Sequence, residues 1–138
     1  MRTLHCGLRV AELERSIAFY TAVGYEVVGH VPETGLGHLT MLKLPGDDFV
    51  TVELVHDPST GEIELGTGLS HLVIQVESVD ATVARLAAAG IEAEDPVSPN
   101  GSDDFRTTWI TDPDGRRIEL VQWPAGHADG ITAADWTN

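Results

Sequence analysis

Apolar and polar residues alternate with a period of two along most of this chain, and twice the pattern changes to a helical period. HCGLRV (5–10) reads as a strand. ELERSIAFYTAVG (12–24) follows, in which Leu13, Ile17 and Tyr20 form the i, i+4, i+7 stripe of an amphipathic helix and Gly24 is placed to end it. YEVVGHV (25–31), HLTMLKL (38–44) and FVTVELV (49–55) alternate as three strands, with PGDD (45–48) as a turn between the last two. The link DPSTGEIELGTG (57–68) is polar and turn-rich. A second series then begins with strand SHLVIQV (70–76) and a helix capped by Ser78 or Asp80, striped by Val79, Val83 and Leu86 and ended by Gly90. IEAEDP (91–96) is predicted as a short strand, SPNGSDD (98–104) as an exposed loop, FRTTWIT (105–111) as a strand, DPDG as a turn, and RRIELVQW (116–123) as the last strand. Residues 124–138 form a tail, with Trp136 as the side chain expected to dock it.

The two series are copies. Glu53-Leu54-Val55 matches Glu119-Leu120-Val121 at an offset of 66 residues, and the same offset carries His5 onto His71, Val10 onto Val76, Gly24 onto Gly90 and Glu26 onto Glu92. His5 to Glu53 and His71 to Glu119 are both separations of 48. The expected class is α+β: tandem βαβββ modules, about 1–57 and 70–123, forming cupped mixed sheets within one domain.

Composition fits one globular domain: 138 residues, 42% of them hydrophobic and 22% charged. A formal net charge of −14, with one lysine and seven arginines, offers no basic surface for nucleic acid or for an anionic membrane. No apolar run is long enough to span a bilayer, and no leader is visible at the N-terminus. A single cysteine, Cys6, cannot form an internal disulfide, so a cytoplasmic setting is expected.

Strand phase brings the chemistry into view. His5, Gly7 and Arg9 share one face of the first strand, and His71, Val73 and Gln75 share one face of its copy. The opposite faces are apolar and should receive the helices. Glu53 and Glu119 should join the mixed faces, where an unpartnered carboxylate is costly to desolvate. Two imidazoles and two carboxylates are an N₂O₂ donor set for one divalent ion (Zn, Ni, Co, Fe or Mn), and such an ion offsets the burial of two negative charges. The plainer alternative pairs each histidine in a core hydrogen bond and each glutamate in an unrelated salt bridge, which requires two coincidences in register.

These residues, in LHCGLRVAELERSIAFY, ELGTGLSHLVIQV and DPDGRRIELVQ, resemble the vicinal oxygen chelate superfamily over residues 1 to about 123, and within it the short bacterial glyoxalase I type. The resemblance implies a homodimer whose metal sites lie at the subunit interface, with His5 and Glu53 meeting His71 and Glu119 of the partner subunit. It implies nickel or cobalt as the favoured metal, with zinc, manganese or iron as alternatives. The implied reaction isomerises the hemithioacetal of an α-ketoaldehyde and a thiol through a metal-bound enediolate, with Glu119 as the base and Glu53 as the second acid–base group.

Substrate-binding positions implied by the same resemblance are Arg9, Asp57 and Arg106. Asp57 stands where that family commonly carries asparagine, and a carboxylate there cannot donate a hydrogen bond to a glutamyl carboxylate and repels it. Asp103 and Asp104 carry the same sign in the loop expected near the other end of a tripeptide thiol. His56 is a candidate pocket residue, His127 a candidate lid residue, and His30 and His38 are expected at the surface. The alternatives are an acyl-CoA epimerase, a thiol transferase, an extradiol dioxygenase, or a metal-free binding protein of the bleomycin-resistance kind. Glu53 counts against the transferase and the dioxygenase, which use two histidines and one glutamate. The full tetrad counts against sequestration alone.

Overall fold

The computed structural model describes residues 1–136 as two compact units, one of residues 1–68 with 112–115 and one of residues 69–111 with 116–136. In the first unit β1 (Cys6–Arg9), α1 (Leu13–Val23), β2 (Glu26–Thr34), β3 (Gly37–Lys43) and β4 (Val52–His56) follow in order. The sheet runs β1-β4-β3-β2, with β1 parallel to β4 and the other pairs antiparallel. Its apolar face, with Leu8, Val52, Leu54 and Leu42 almost wholly buried, is the one α1 covers. Each such side chain contributes about 1.5–3 kcal/mol by leaving water.

The second unit holds β5 (Leu72–Gln75), α2 (Val79–Ala88), β6 (Arg106–Thr111) and β7 (Arg117–Gln122), then a single 3₁₀ turn at Ala133–Trp136. The sheet order is β5-β7-β6, again with a parallel first pair. Ile74, Ile118, Leu120 and Ile110 make the buried face under α2. The 66-residue repeat reappears as ladder register: Gly7 pairs with Glu53 and Val73 with Glu119, 46 positions apart in both. The antiparallel partners differ, since Met41 faces Glu53 across 12 positions and Trp109 faces Glu119 across 10. A shorter turn before β7 accounts for the two-residue slip, and the sequence repeat fades there.

Three expectations are corrected. IEAEDP does not form a strand; Glu94 N donates to the Trp109 carbonyl at 2.9 Å and Val97 makes an isolated bridge to Thr107. Asp95 and Pro96 interrupt the run, and proline has no N–H for a ladder. Helix α1 buries Ser16, Tyr20 and Val23, so its inward stripe is rotated from the Leu13–Ile17–Tyr20 reading. The rotation brings the Tyr20 hydroxyl to the buried Asp112 carboxylate, to which it donates at 2.6 Å. Trp136 is 77% exposed and anchors nothing among the described residues.

Local signals elsewhere act as expected. The Ser78 hydroxyl caps α2 by accepting from Ala81 N at 3.2 Å, and Gly24 ends α1 with φ +135°. None of the described helices is long and apolar enough to cross a membrane.

Candidate functional site

In the first unit His5 immediately precedes β1 and Glu53 lies on β4, next to it in the parallel ladder. The phase is the expected one: Glu53 pairs with Gly7, which shares the His5 face. His5 Nε2 lies 2.8 Å from Glu53 Oε2, with only 11% of the glutamate side chain accessible. A nearly buried carboxylate set against an imidazole nitrogen makes an N,O pair, the unit from which a chelating set is built. Arg9, further along the same face, contributes a positive field at Asp57.

The second unit repeats the placement. His71 immediately precedes β5, and Glu119, half-buried on β7, pairs with Val73 on that face. His71 is exposed, and its Nδ1 is 2.8 Å from the Ser70 hydroxyl. Its ring packs edge-on against Trp109 at 5.0 Å, and Trp109 sits directly across from Glu119. Ser70 and Trp109 thus fix the orientation of His71. Among the described residues, no three or more His, Cys, Asp or Glu side chains gather as a ready metal-binding group. Each unit offers two.

The other predicted residues divide. Asp57 follows β4 and accepts hydrogen bonds from the Ser59 hydroxyl and N–H at 2.7 and 2.9 Å, which hold its carboxyl below the usual range. It stays ionised, so the sequence-level objection to an anionic substrate end stands. Arg106 points away from the Glu119 face, because it pairs with Gln122 while Trp109 pairs with Glu119. Its guanidinium engages Asp80 of α2 at 2.9 Å, which argues against the substrate role. His56 is likewise displaced from the expected pocket, since it is three residues from Glu53 and on the other face of β4.

Three residues gain roles that the sequence reading missed. Arg117 shares the Glu119 face, stacks over the Trp109 ring at 4.5 Å and pairs with Glu94. Its place two residues before Glu119 was the available signal. Gln75 anchors the tail: its amide donates to Asp129 at 2.7 Å and accepts from Trp123 Nε1 and Gly130 N at 2.9 Å each. Trp123 stacks between Phe105 (5.7 Å) and His127 (4.8 Å). His127 donates through both ring nitrogens, to the Ala128 carbonyl at 2.6 Å and to Asp135 at 2.7 Å. The carbonyl first, and then Asp135, raise its pKa. His127, expected as a candidate lid residue, thus clasps the tail together through Trp123 and Asp135.

Comparison with known proteins follows the same lines. A sequence model of the Glyoxalase/Bleomycin resistance protein/Dioxygenase superfamily matches residues 2–120. The chain is 32% identical to a probable lactoylglutathione lyase of Vibrio parahaemolyticus, covering 88% of this chain and 90% of that one. The structure is similar to glyoxalase I from Zea mays, with a TM-score of 0.78 and 25% identity over 89% of this chain and 45% of the maize chain. It is also similar to the trypanothione-dependent glyoxalase I of Leishmania major, with a TM-score of 0.72 and 27% identity over 88% and 86% of the two chains.

Proposed function

The chain belongs to the Glyoxalase/Bleomycin resistance protein/Dioxygenase superfamily, and on that premise we propose that it is a metal-dependent isomerase of hemithioacetals formed from an α-ketoaldehyde and a thiol. It is an enzyme of the lactoylglutathione lyase kind, as its curated relatives are. The observation that carries the reading is the His5–Glu53 pair at 2.8 Å, together with Glu119 on the equivalent rung of the second sheet. The donor chemistry suits a divalent ion held by His5, Glu53, His71 and Glu119. Nickel or cobalt is favoured. In the proposed homodimer His5 and Glu53 of one protomer meet the partner's His71 and the partner's Glu119. A reducing, cytoplasmic setting accords with the single, exposed Cys6.

When bound, the ion would supply Lewis-acid polarisation of the substrate oxygens and offset the charge of the developing enediolate. The protein's own residues carry the protons. Glu119, half-buried and not tied to a histidine as Glu53 is, takes the proton from C1. Glu53 takes the hydroxyl proton at C1 and returns it at C2, and the proton held by Glu119 passes to the C2 oxygen, which restores both carboxylates. Glu53 and Val55, which shares its face, are both buried, which limits the access of bulk water to this acid–base group.

Arg9 is the cation placed to meet an anionic part of the thiol, but Asp57 already offsets its charge. The thiol we propose is one whose recognition does not depend on a pair of carboxylates. The trypanothione dependence of the Leishmania protein supports a thiol that varies within the family.

The test is Glu119→Gln. Turnover should fall by about 10²–10⁴-fold, the range for loss of a general base, while bound metal per chain falls far less. Full turnover in that variant would remove Glu119 as the base.

A further inference from the structure

A second cluster of ligand-type side chains lies in the first unit, on the other face of its sheet. His30 on β2 pairs across the hairpin with Thr40, and His38 on β3 pairs with His56 on β4. Thr40 in turn pairs with Leu54, so all three histidines share the apolar side of the sheet, opposite the side of His5 and Glu53. His30 Nδ1 lies 3.0 Å from His38 Nε2, with the rings 5.1 Å apart and tilted by 58°. The hydroxyl of Thr40, a fully buried residue, is 3.1 Å from the same His30 nitrogen. When that hydroxyl donates to it, Nδ1 carries no ring proton, and the hydroxyl must turn aside for an ion to take the lone pair.

We propose that His30 Nδ1 and His38 Nε2 form a second transition-metal site, for Zn²⁺, Ni²⁺ or Cu²⁺, separate from the centre at His5 and Glu53. Imidazole suits these ions. Two nitrogens about 2.1 Å from one ion and at right angles to each other lie about 3.0 Å apart, the separation these two already have. An ion would therefore enter with little movement of either ring, its remaining positions filled by water. His56 is the cross-strand neighbour of His38, but the three histidines do not gather as one ligand group, so the site is a two-histidine site. Gly37 makes the close approach possible: a Cβ there would come within 2.4 Å of the His56 carbonyl oxygen. The net charge of −14 favours cations generally. Occupancy would pin the β2–β3 hairpin near its turn. The competing arrangement is a simple N–H···N hydrogen bond between the rings, of the same length.

This site does not rest on the proposed catalytic centre, and the experiment keeps them apart. Imidazole ¹⁵N resonances of the intact wild-type protein would be followed during Zn²⁺ titration, and bound metal per chain measured for wild type, His30→Gln, His38→Gln and Glu53→Gln. We expect the His30 Nδ1 and His38 Nε2 signals to move together at the same zinc equivalents, in Glu53→Gln as in wild type. Either histidine variant should lose one ion per chain at equal free metal, with affinity at that site down more than about tenfold, since even an outer-sphere partner is worth 10–100-fold. Unmoved signals at saturating zinc, or equal metal content in wild type and both histidine variants, would overturn the site and leave the pair as a hydrogen bond. The NMR readout is made on unmutated protein, so misfolding of a variant cannot decide it.

Discussion

Glu53 and Glu119 occupy equivalent rungs of two equivalent ladders, yet their neighbours differ. Glu53 is nearly buried and held by His5, while Glu119 faces Trp109, whose ring meets the His71 ring and the Arg117 guanidinium. That asymmetry is the ground for the proposed division into a base and a returning acid. Much of it was legible beforehand. The matched 48-residue spacings and strand parity placed His5 and His71 on the faces of Glu53 and Glu119, because a period of two leaves a side chain only two directions. Parity also disqualifies His56 and Arg106, and it points to Arg117. What parity cannot give is a partner on another element, such as Asp80 for Arg106 or Ser70 for His71. Asp57 carries the substrate question at this scale. Asp57→Asn removes a fixed negative charge beside Arg9 and adds an amide donor. It should raise kcat/KM for the glutathione hemithioacetal by about tenfold, worth 1.4 kcal/mol. An unchanged or lower value in steady-state kinetics would show that Asp57 does not control the thiol.

At the scale of elements, two features were hidden from the hydrophobic pattern. One is the β2–β3 hairpin, which continues through Pro32 on an edge strand and returns at Gly37 with φ +115°. Gly37→Ala places a methyl group 2.4 Å from the His56 carbonyl in a backbone region that side chains avoid. The loss should be about 1–2 kcal/mol or more by chemical denaturation, whereas Gly35→Ala, with open space around it, should cost less. The other is the tail. Its docking depends on Gln75, Trp123 and His127, polar or mixed residues that carry no periodic signal. The sequence therefore suggested the largest apolar side chain, Trp136, which is exposed. His127 has a raised pKa when folded, so protonation stabilises the clasp. That contribution is complete below the unfolded value near 6.5 and is lost as pH rises through the higher folded one. Hydrogen exchange over 124–136 should therefore quicken, beyond the intrinsic base-catalysed increase, as pH rises from 6 to 9. Gln75→Ala should quicken it at every pH. A tail equally protected at both ends of that range would contradict the clasp.

For the whole molecule, duplication explains why so much could be read from one chain. Each half repeats the same parallel ladder with the same register, so the pattern is stated twice, and chance agreement at both His–Glu pairs is improbable. The second half diverges most between α2 and β6, where the predicted strand at 91–96 is replaced by an isolated bridge. Each unit carries one imidazole and one carboxylate at equivalent positions, and the proposed centre draws on both pairs. The most direct test is turnover of methylglyoxal hemithioacetals, formed with glutathione and with a thiol lacking carboxylates. The protein would be stripped of metal by chelation and then reloaded with nickel, cobalt or zinc. Turnover should vanish on stripping and return with nickel or cobalt, and the adduct without carboxylates should be the better substrate relative to its uncatalysed rate. Fully loaded protein that isomerises neither hemithioacetal would contradict the proposed function.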